Sequence, residues 1–115
     1  MKKENRLLKN KDFKNVLDAK RSVSCGIGIV FVKKNILNHA RIGISVSSKI
    51  GNSVIRHKVK RQISEIMKEI FDFNNTVDIV IIVRKNFLNN KFAQNKDYLK
   101  NLLDKLTKGD KKCNI

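Results

Sequence analysis

Gly51-Asn52-Ser53-Val54-Ile55-Arg56-His57-Lys58-Val59-Lys60-Arg61-Gln62-Ile63-Ser64-Glu65 opens the most informative helix of the chain. Ile55, Val59, Ile63, Ile66 and Ile70 recur at helical spacing, so they share one face and should pack on a sheet. His57, Arg61, Ser64 and Lys68 fall on the opposite face, with Lys58 and Lys60 beside them. The helix is read as running to about residue 71.

Strands stand on either side of it. In residues 41–47, Ile42, Ile44 and Val46 alternate with Arg41, Gly43, Ser45 and Ser47, a strand with one apolar face. Residues 77–83 are apolar at nearly every position, which predicts a strand buried on both faces near the middle of a sheet. Two strands joined through a long helix are expected to run parallel. Residues 22–33 also read as a strand. Gly26 and Gly28 within it mark a bend, a bulge or a close backbone approach. Residues 33–40 form a turn-like connection. Nearer the start, Asn10 is placed as the cap of a helix over residues 11–20, with Phe13, Val16 and Leu17 on its apolar face. Residues 1–9 read as a basic arm. A last helix is expected over residues 95–106, led by Tyr98, Leu99, Leu102, Leu103 and Leu106. The result is one α+β domain over residues 1–106, followed by a disordered basic tail over residues 107–115.

Charge narrows the function. The 115 residues hold 26 Lys plus Arg against 10 Asp plus Glu, a formal +16. A folded domain with that much like charge repels itself, and a polyanionic partner relieves the repulsion. No apolar run approaches the ~20 residues that span a bilayer, so no membrane role is expected. Met1-Lys2-Lys3-Glu4-Asn5-Arg6 lacks the apolar core of a signal peptide. Cys25 and Cys113 make neither a disulfide framework nor a metal spacing, which fits a reduced, cytoplasmic setting. Lys outnumbers Arg by 20 to 6. The few arginines, Arg41 among them, are therefore the better candidates for specific phosphate contacts, since guanidinium binds phosphate in bidentate fashion.

The distribution of charge along the central helix is informative too. Cations near a helix N-terminus are unfavourable by ~0.3–1 kcal/mol each. Yet Arg56, Lys58, Lys60 and Arg61 crowd the first turns, and Glu65 and Glu69 come later. Folding alone gives no reason for this order. An anion site does: the backbone at Gly51, Asn52 and Ser53, the helix dipole and the cations would all address phosphates. The other reading is a solvated basic face.

The same residues resemble the signature of the bacterial ribonuclease P protein family, close to G-N-x-V-x-R-N-x-x-K-R-x-x-R-E. Gly51, Asn52, Val54, Arg56, Lys60, Arg61 and Glu65 match; His57 stands where the family has Asn and Ser64 where it has Arg. Arg6-Leu7-Leu8-Lys9-Asn10-Lys11-Asp12-Phe13 resembles the family's R-L-x-x-x-x-D-F opening. Arg41-Ile42-Gly43-Ile44-Ser45-Val46-Ser47 resembles its R-x-G-x-x-V-S strand. The three motifs occur in family order within residues 5–105.

The resemblance implies an αβββαβα sandwich with a four-stranded mixed sheet and a left-handed β-α-β crossover, an exception to the usual hand. It implies a non-catalytic subunit of an endoribonuclease, acting with a catalytic RNA that needs Mg²⁺ to remove the 5′ leader of precursor tRNA. The expected partners are that RNA and precursor tRNA, with no obligate protein partner. Carried over by motif, Arg56, His57, Lys58, Lys60 and Arg61 face the RNA, and Lys68 on the same face can offset Ser64. Phe13, Leu17, Phe31 and Lys49 form the leader cleft. The two Phe either stack on single-stranded bases or pack in the core; Leu17 reads as core. His57 cannot offer the donor and acceptor of an Asn amide together in one tautomer. No catalytic or metal-binding residue is expected in the protein. Asp12, Asp18, Glu65, Glu69, Asp72 and Asp78 are scattered along the chain, and His39 and His57 are the only histidines. Ribosomal and RNA-chaperone proteins share the charge, but do not require the ordered arginine signature. A stand-alone nuclease would cut without an RNA subunit.

Overall fold

The computed structural model describes residues 3–7 and 9–108. Three α-helices and four strands alternate in the order α1 (Asn10–Asp18), β1 (Ser22–Cys25), β2 (Gly28–Lys34), β3 (Arg41–Ser45), α2 (Ser53–Ile70), β4 (Val77–Val83) and α3 (Phe92–Lys108). Short 3-10 turns occupy Lys3–Asn5 and Lys85–Asn89.

The strands form one mixed sheet in the order β1-β2-β4-β3. β2 pairs antiparallel with both β1 and β4, and β3 pairs parallel with β4. β4 is thus an inner strand, as its nearly continuous apolar run predicts, and it feeds both faces. Ile79, Ile81 and Val83 enter the main core with Ile63, Ile66 and Met67 of α2 and Leu99, Leu102 and Leu103 of α3. Val80 turns the other way and packs with Leu7 and Val16 under α1. Helices cover both faces of the sheet, so neither face is left as a bare apolar plane.

Four features depart from expectation. Residues 22–33, which read locally as one strand, are a hairpin that supplies the third strand before α2 implied by the αβββαβα resemblance: Cys25 pairs opposite Gly28, and Gly26-Ile27 make the turn. Ile27 looked like strand because it is apolar. It is buried, and its carbonyl accepts the Arg84 N–H at 2.9 Å, so tertiary contact holds an apolar residue in a turn. Gly28 meets the expected close approach, since a Cβ there would collide with the Ile82 carbonyl oxygen.

At α1, Lys9 and not Asn10 is the N-cap, without a side-chain cap bond; its carbonyl accepts the N–H groups of Asp12 and Phe13. The helix stops at Asp18 because Lys20 takes a left-handed conformation, φ 58°. The described part of the basic arm is pinned down: the Leu7 N–H donates to the Ile42 carbonyl at 3.0 Å, and the buried Asn5 amide donates to the Ala40 carbonyl at 2.8 Å. Finally, α3 begins three residues early and continues through Thr107 and Lys108. The buried Asn95 ties its first turn to the preceding 3-10 turn through the Phe87 carbonyl, 3.1 Å away. The rest of the expected tail lies outside the described residues.

Candidate nucleic-acid interface

Asn52 caps α2, its side-chain oxygen accepting the Ile55 N–H at 3.0 Å. Ser53 and Val54 follow in the first turn, where a helix supplies no acceptor for its own N–H groups. The first turn holds no acid, so the positive end of the dipole is left to the cations. Val59, Ile63, Ile66 and Met67 are buried against the sheet and α3, which turns His57, Lys58, Lys60 and Arg61 outward. Ile55, expected on the packed face, is 37% exposed and lies against Gly51.

None of the ion pairs among the described residues engages His57, Lys58, Lys60 or Arg61. Lys68 sits 3.4 Å from Glu65 in an exposed pair three residues apart, a contact worth only a few tenths of a kcal/mol. It gives up little by turning to a phosphate. Arg56 differs from its neighbours: it is half-buried, with its Nε enclosed and lacking a hydrogen-bond partner.

Two grooves flank the α2 crest. The first, about 730 Å³, has His57, Lys60, Arg61, Ser64 and Lys68 on one wall. Its other wall is the β3 edge, with Ile42, Gly43 and Ile44, and the Arg6, Leu7 and Phe13 side of the N-terminal region. Ser64 lies between Lys60 and Lys68 on the basic wall, so the absent family arginine leaves a gap there. Deeper under α1, Phe13, Leu17, Phe31 and Ile82 are partly buried around Leu7, Val16 and Val80. Three of the four expected cleft residues therefore meet on one half-exposed apolar face. The Phe13 and Phe31 rings both pack and present surface. Lys49 is exposed on the turn before α2 and lines neither groove.

The Phe13 ring lies over Gly43. A Cβ at Gly43 would stand 2.5 Å from the Phe13 Cζ and 3.2 Å from the Leu7 Cβ. Gly43→Ala must therefore displace the ring, at an expected ~1–3 kcal/mol of stability. If this face holds a leader and α2 an RNA, as the resemblance implies, leader affinity should fall while affinity for the RNA on α2 is kept. Separate titrations with a single-stranded leader and a structured RNA check this, and equal loss of both would show that Phe13 has no separate role.

A polar clamp anchors α1 beside this face. Arg41 donates to both carboxylate oxygens of Asp78, at 2.9 and 2.6 Å, and reaches Asp12 of α1 at 3.3 Å. The Asn35 amide donates to the same Asp78 at 2.8 Å. The guanidinium is held above its ordinary pKa, chiefly by the hydrogen bonds with Asp78, which outweigh the lowering by desolvation. Its charge is permanent at any ordinary pH. Arg41, an RNA candidate from composition alone, is thus spent inside the fold. The signal for it lay in Asp78, a lone acid in an apolar strand.

Among the described residues, no group of three or more His, Cys, Asp or Glu gathers as a metal site, and no helix is long and apolar enough to cross a membrane. The family model described as Ribonuclease P matches residues 1–107. A protein of Mycoplasma capricolum, "Ribonuclease P protein component", is 40% identical over 110 residues, 94% of this chain and 97% of that one. The Staphylococcus aureus RNase P protein structure superposes with a TM-score of 0.82 at 33% identity, covering 90% of this chain and 95% of that one. That from Thermotoga maritima gives 0.74 at 31% identity, covering 85% and 94%.

Proposed function

This chain belongs to the ribonuclease P protein family, the protein component of an endoribonuclease, and from that membership we propose how it works: α2 binds the catalytic RNA, the α1 face holds the 5′ leader of precursor tRNA, and the RNA does the cutting. The carrying observation is the α2 crest, where His57, Lys58, Lys60 and Arg61 stand outward with no internal carboxylate partner. Lys58, Lys60 and Arg61 would each neutralise phosphate and release counterions, and His57 would offer a ring N–H. Gly51, Asn52 and Ser53 at the start of α2 would add backbone and amide donors, Asn52 through its NH₂ because its oxygen is committed to the cap. Arg56 would contribute from the flank.

The leader, single-stranded and flexible, suits the half-exposed rings of Phe13 and Phe31 beside the basic wall, with Leu17 completing the apolar floor and Lys49 at the approach. Asp12 and Asp78 are tied to Arg41, Glu65 to Lys68 and Glu69 to Lys96. On this reading Mg²⁺ would belong with the RNA, which would supply the chemistry, and the protein would lower the concentration of it that the RNA needs. No protein partner is required for this, and a cytoplasmic setting goes with it.

The test is precursor-tRNA cleavage at low Mg²⁺ by a bacterial ribonuclease P RNA, with and without the protein. Accurate 5′ cleavage restored by a protein that is inert alone supports the reading. Cleavage by the protein without RNA would make it a nuclease in its own right. Binding to structured RNA with no effect on cleavage would favour a chaperone role. Within the interface, Arg61→Ala should weaken RNA binding about tenfold and lower the salt slope by roughly one, while Lys100→Ala, on the exposed side of α3, changes little. Equal effects would mean diffuse charge and not a defined face.

A further inference from the structure

On the far side of the α2 crest lies the second groove, about 850 Å³, closed at one end by the first residue of α3. That residue is Phe92, and its ring is 41% exposed. Across from it stand Val54, 74% exposed, and the cations Lys58 and Arg61. Neither the family motifs nor the leader face accounts for an aromatic ring held open to water at this point. We infer that the α2–α3 groove is a base-binding site: an unpaired nucleotide of the RNA bound along α2 inserts there, its base against Phe92 and its phosphate on Lys58 and Arg61.

The inference rests on the proposed RNA contact of α2 and deepens it. His57, Arg61 and Glu65 line both grooves, so they form the ridge between them. A phosphate backbone lying on the ridge passes directly over the Phe92 groove. The groove's size falls in the ~300–1,000 Å³ range of sites that take small molecules, ample for one nucleotide. Its chemistry is an aromatic face beside guanidinium and ammonium groups, the combination that holds unstacked bases. Its one carboxylate, Glu65, already has Lys68 beside it. A partner helix would want a continuous apolar seam. Here Val54 and Phe92 share the lining with Lys58 and Arg61, and an anionic strand suits those cations better than a protein surface.

The chain contains no tryptophan, so Phe92→Trp creates a single indole reporter in the full-length protein. Titrating it with a bacterial ribonuclease P RNA should quench and shift the indole emission as the base stacks. A single-stranded leader oligonucleotide, directed to the α1 face, should leave it unchanged. In parallel, Phe92→Leu keeps apolar packing but removes the ring. It should weaken RNA-subunit affinity about tenfold without altering the salt slope, because no charge is lost. Melting curves of both variants confirm that they fold. Undisturbed emission and full Phe92→Leu affinity, in a protein whose binding still depends on Arg61, would overturn the base site and leave the α2 contact standing. Loss of the Arg61 dependence as well would remove the premise itself.

Discussion

Raising the salt from about 50 to 200 mM should weaken the affinity for the catalytic RNA by roughly 10³–10⁵-fold, the loss expected of a protein that makes ~6–10 phosphate contacts. The expectation comes from where the charge is, and not only from its sum of +16. Internal salt bridges draw off part of it: Arg41 serves Asp12 and Asp78, and Lys96 serves Glu69 at 2.6 Å. The cations of the α2 crest have no such partner and lie on one side of a single rigid helix. They can neutralise consecutive phosphates without reorganising the fold, so their counterion release adds up. A filter-binding or anisotropy series across salt reads the slope directly. A flat response would mean that shape or hydrogen bonding holds the RNA, and the crest would lose its role. A steep response that Arg61→Ala leaves unaltered would move the contacts elsewhere on the surface.

Asp78→Ala should destabilise the fold by ~3 kcal/mol, the cost of leaving one member of an enclosed ion pair without its partner. At this chain length that corresponds to a fall of roughly 10 °C in Tm. The Asp78 side chain keeps only 9% of its surface in water and that of Arg41 24%, so the pair is far from a loose surface contact. Removing the carboxylate also takes one of the Asn35 amide's two acceptors, leaving it the His39 carbonyl at 3.2 Å, and leaves Asp12 as the remaining carboxylate on Arg41. Calorimetry or denaturant unfolding checks the size. Replacing both partners with apolar residues, Arg41→Met with Asp78→Leu, should cost less than Asp78→Ala alone, because no buried charge is then stranded. A change below ~0.5 kcal/mol for Asp78→Ala would place the pair with ordinary surface bridges. Arg41→Ala should lower stability by a similar amount and leave the RNA affinity of the folded fraction unchanged. That separates Arg41 from Arg61, which composition treats as the same kind of residue.

Whatever has a period or a local partner was legible in the residues alone. The three-and-four spacing of Val59, Ile63 and Ile66 specified α2 and which side of it is buried, because a helix has one repeat and only one face can meet a core. The apolar run of β4, interrupted only by Asp78, specified an inner strand, and the long intervening helix specified its parallel pairing with β3. Asn52 could be read as part of the α2 start because a cap bonds within three residues. The basic crest was legible for the same reason as the core: both are stripes on one helix.

Features that rest on contacts between residues far apart in the chain emerge only with folding. Ile27 sits in a turn because burial and the Arg84 N–H hold it there, 57 residues away in sequence terms and invisible to any local pattern. Arg41 left the pool of RNA ligands because parallel pairing set it opposite Asp78. Phe13, Leu17 and Phe31 came together because α1 packs across β2 and β4, while Lys49 stayed on its turn. Phe92 came to line a groove with Val54, Lys58 and Arg61 only when α3 placed it against the flank of α2. In each case the energy lies in a non-local contact, and periodicity in a sequence carries no record of which distant residue completes it.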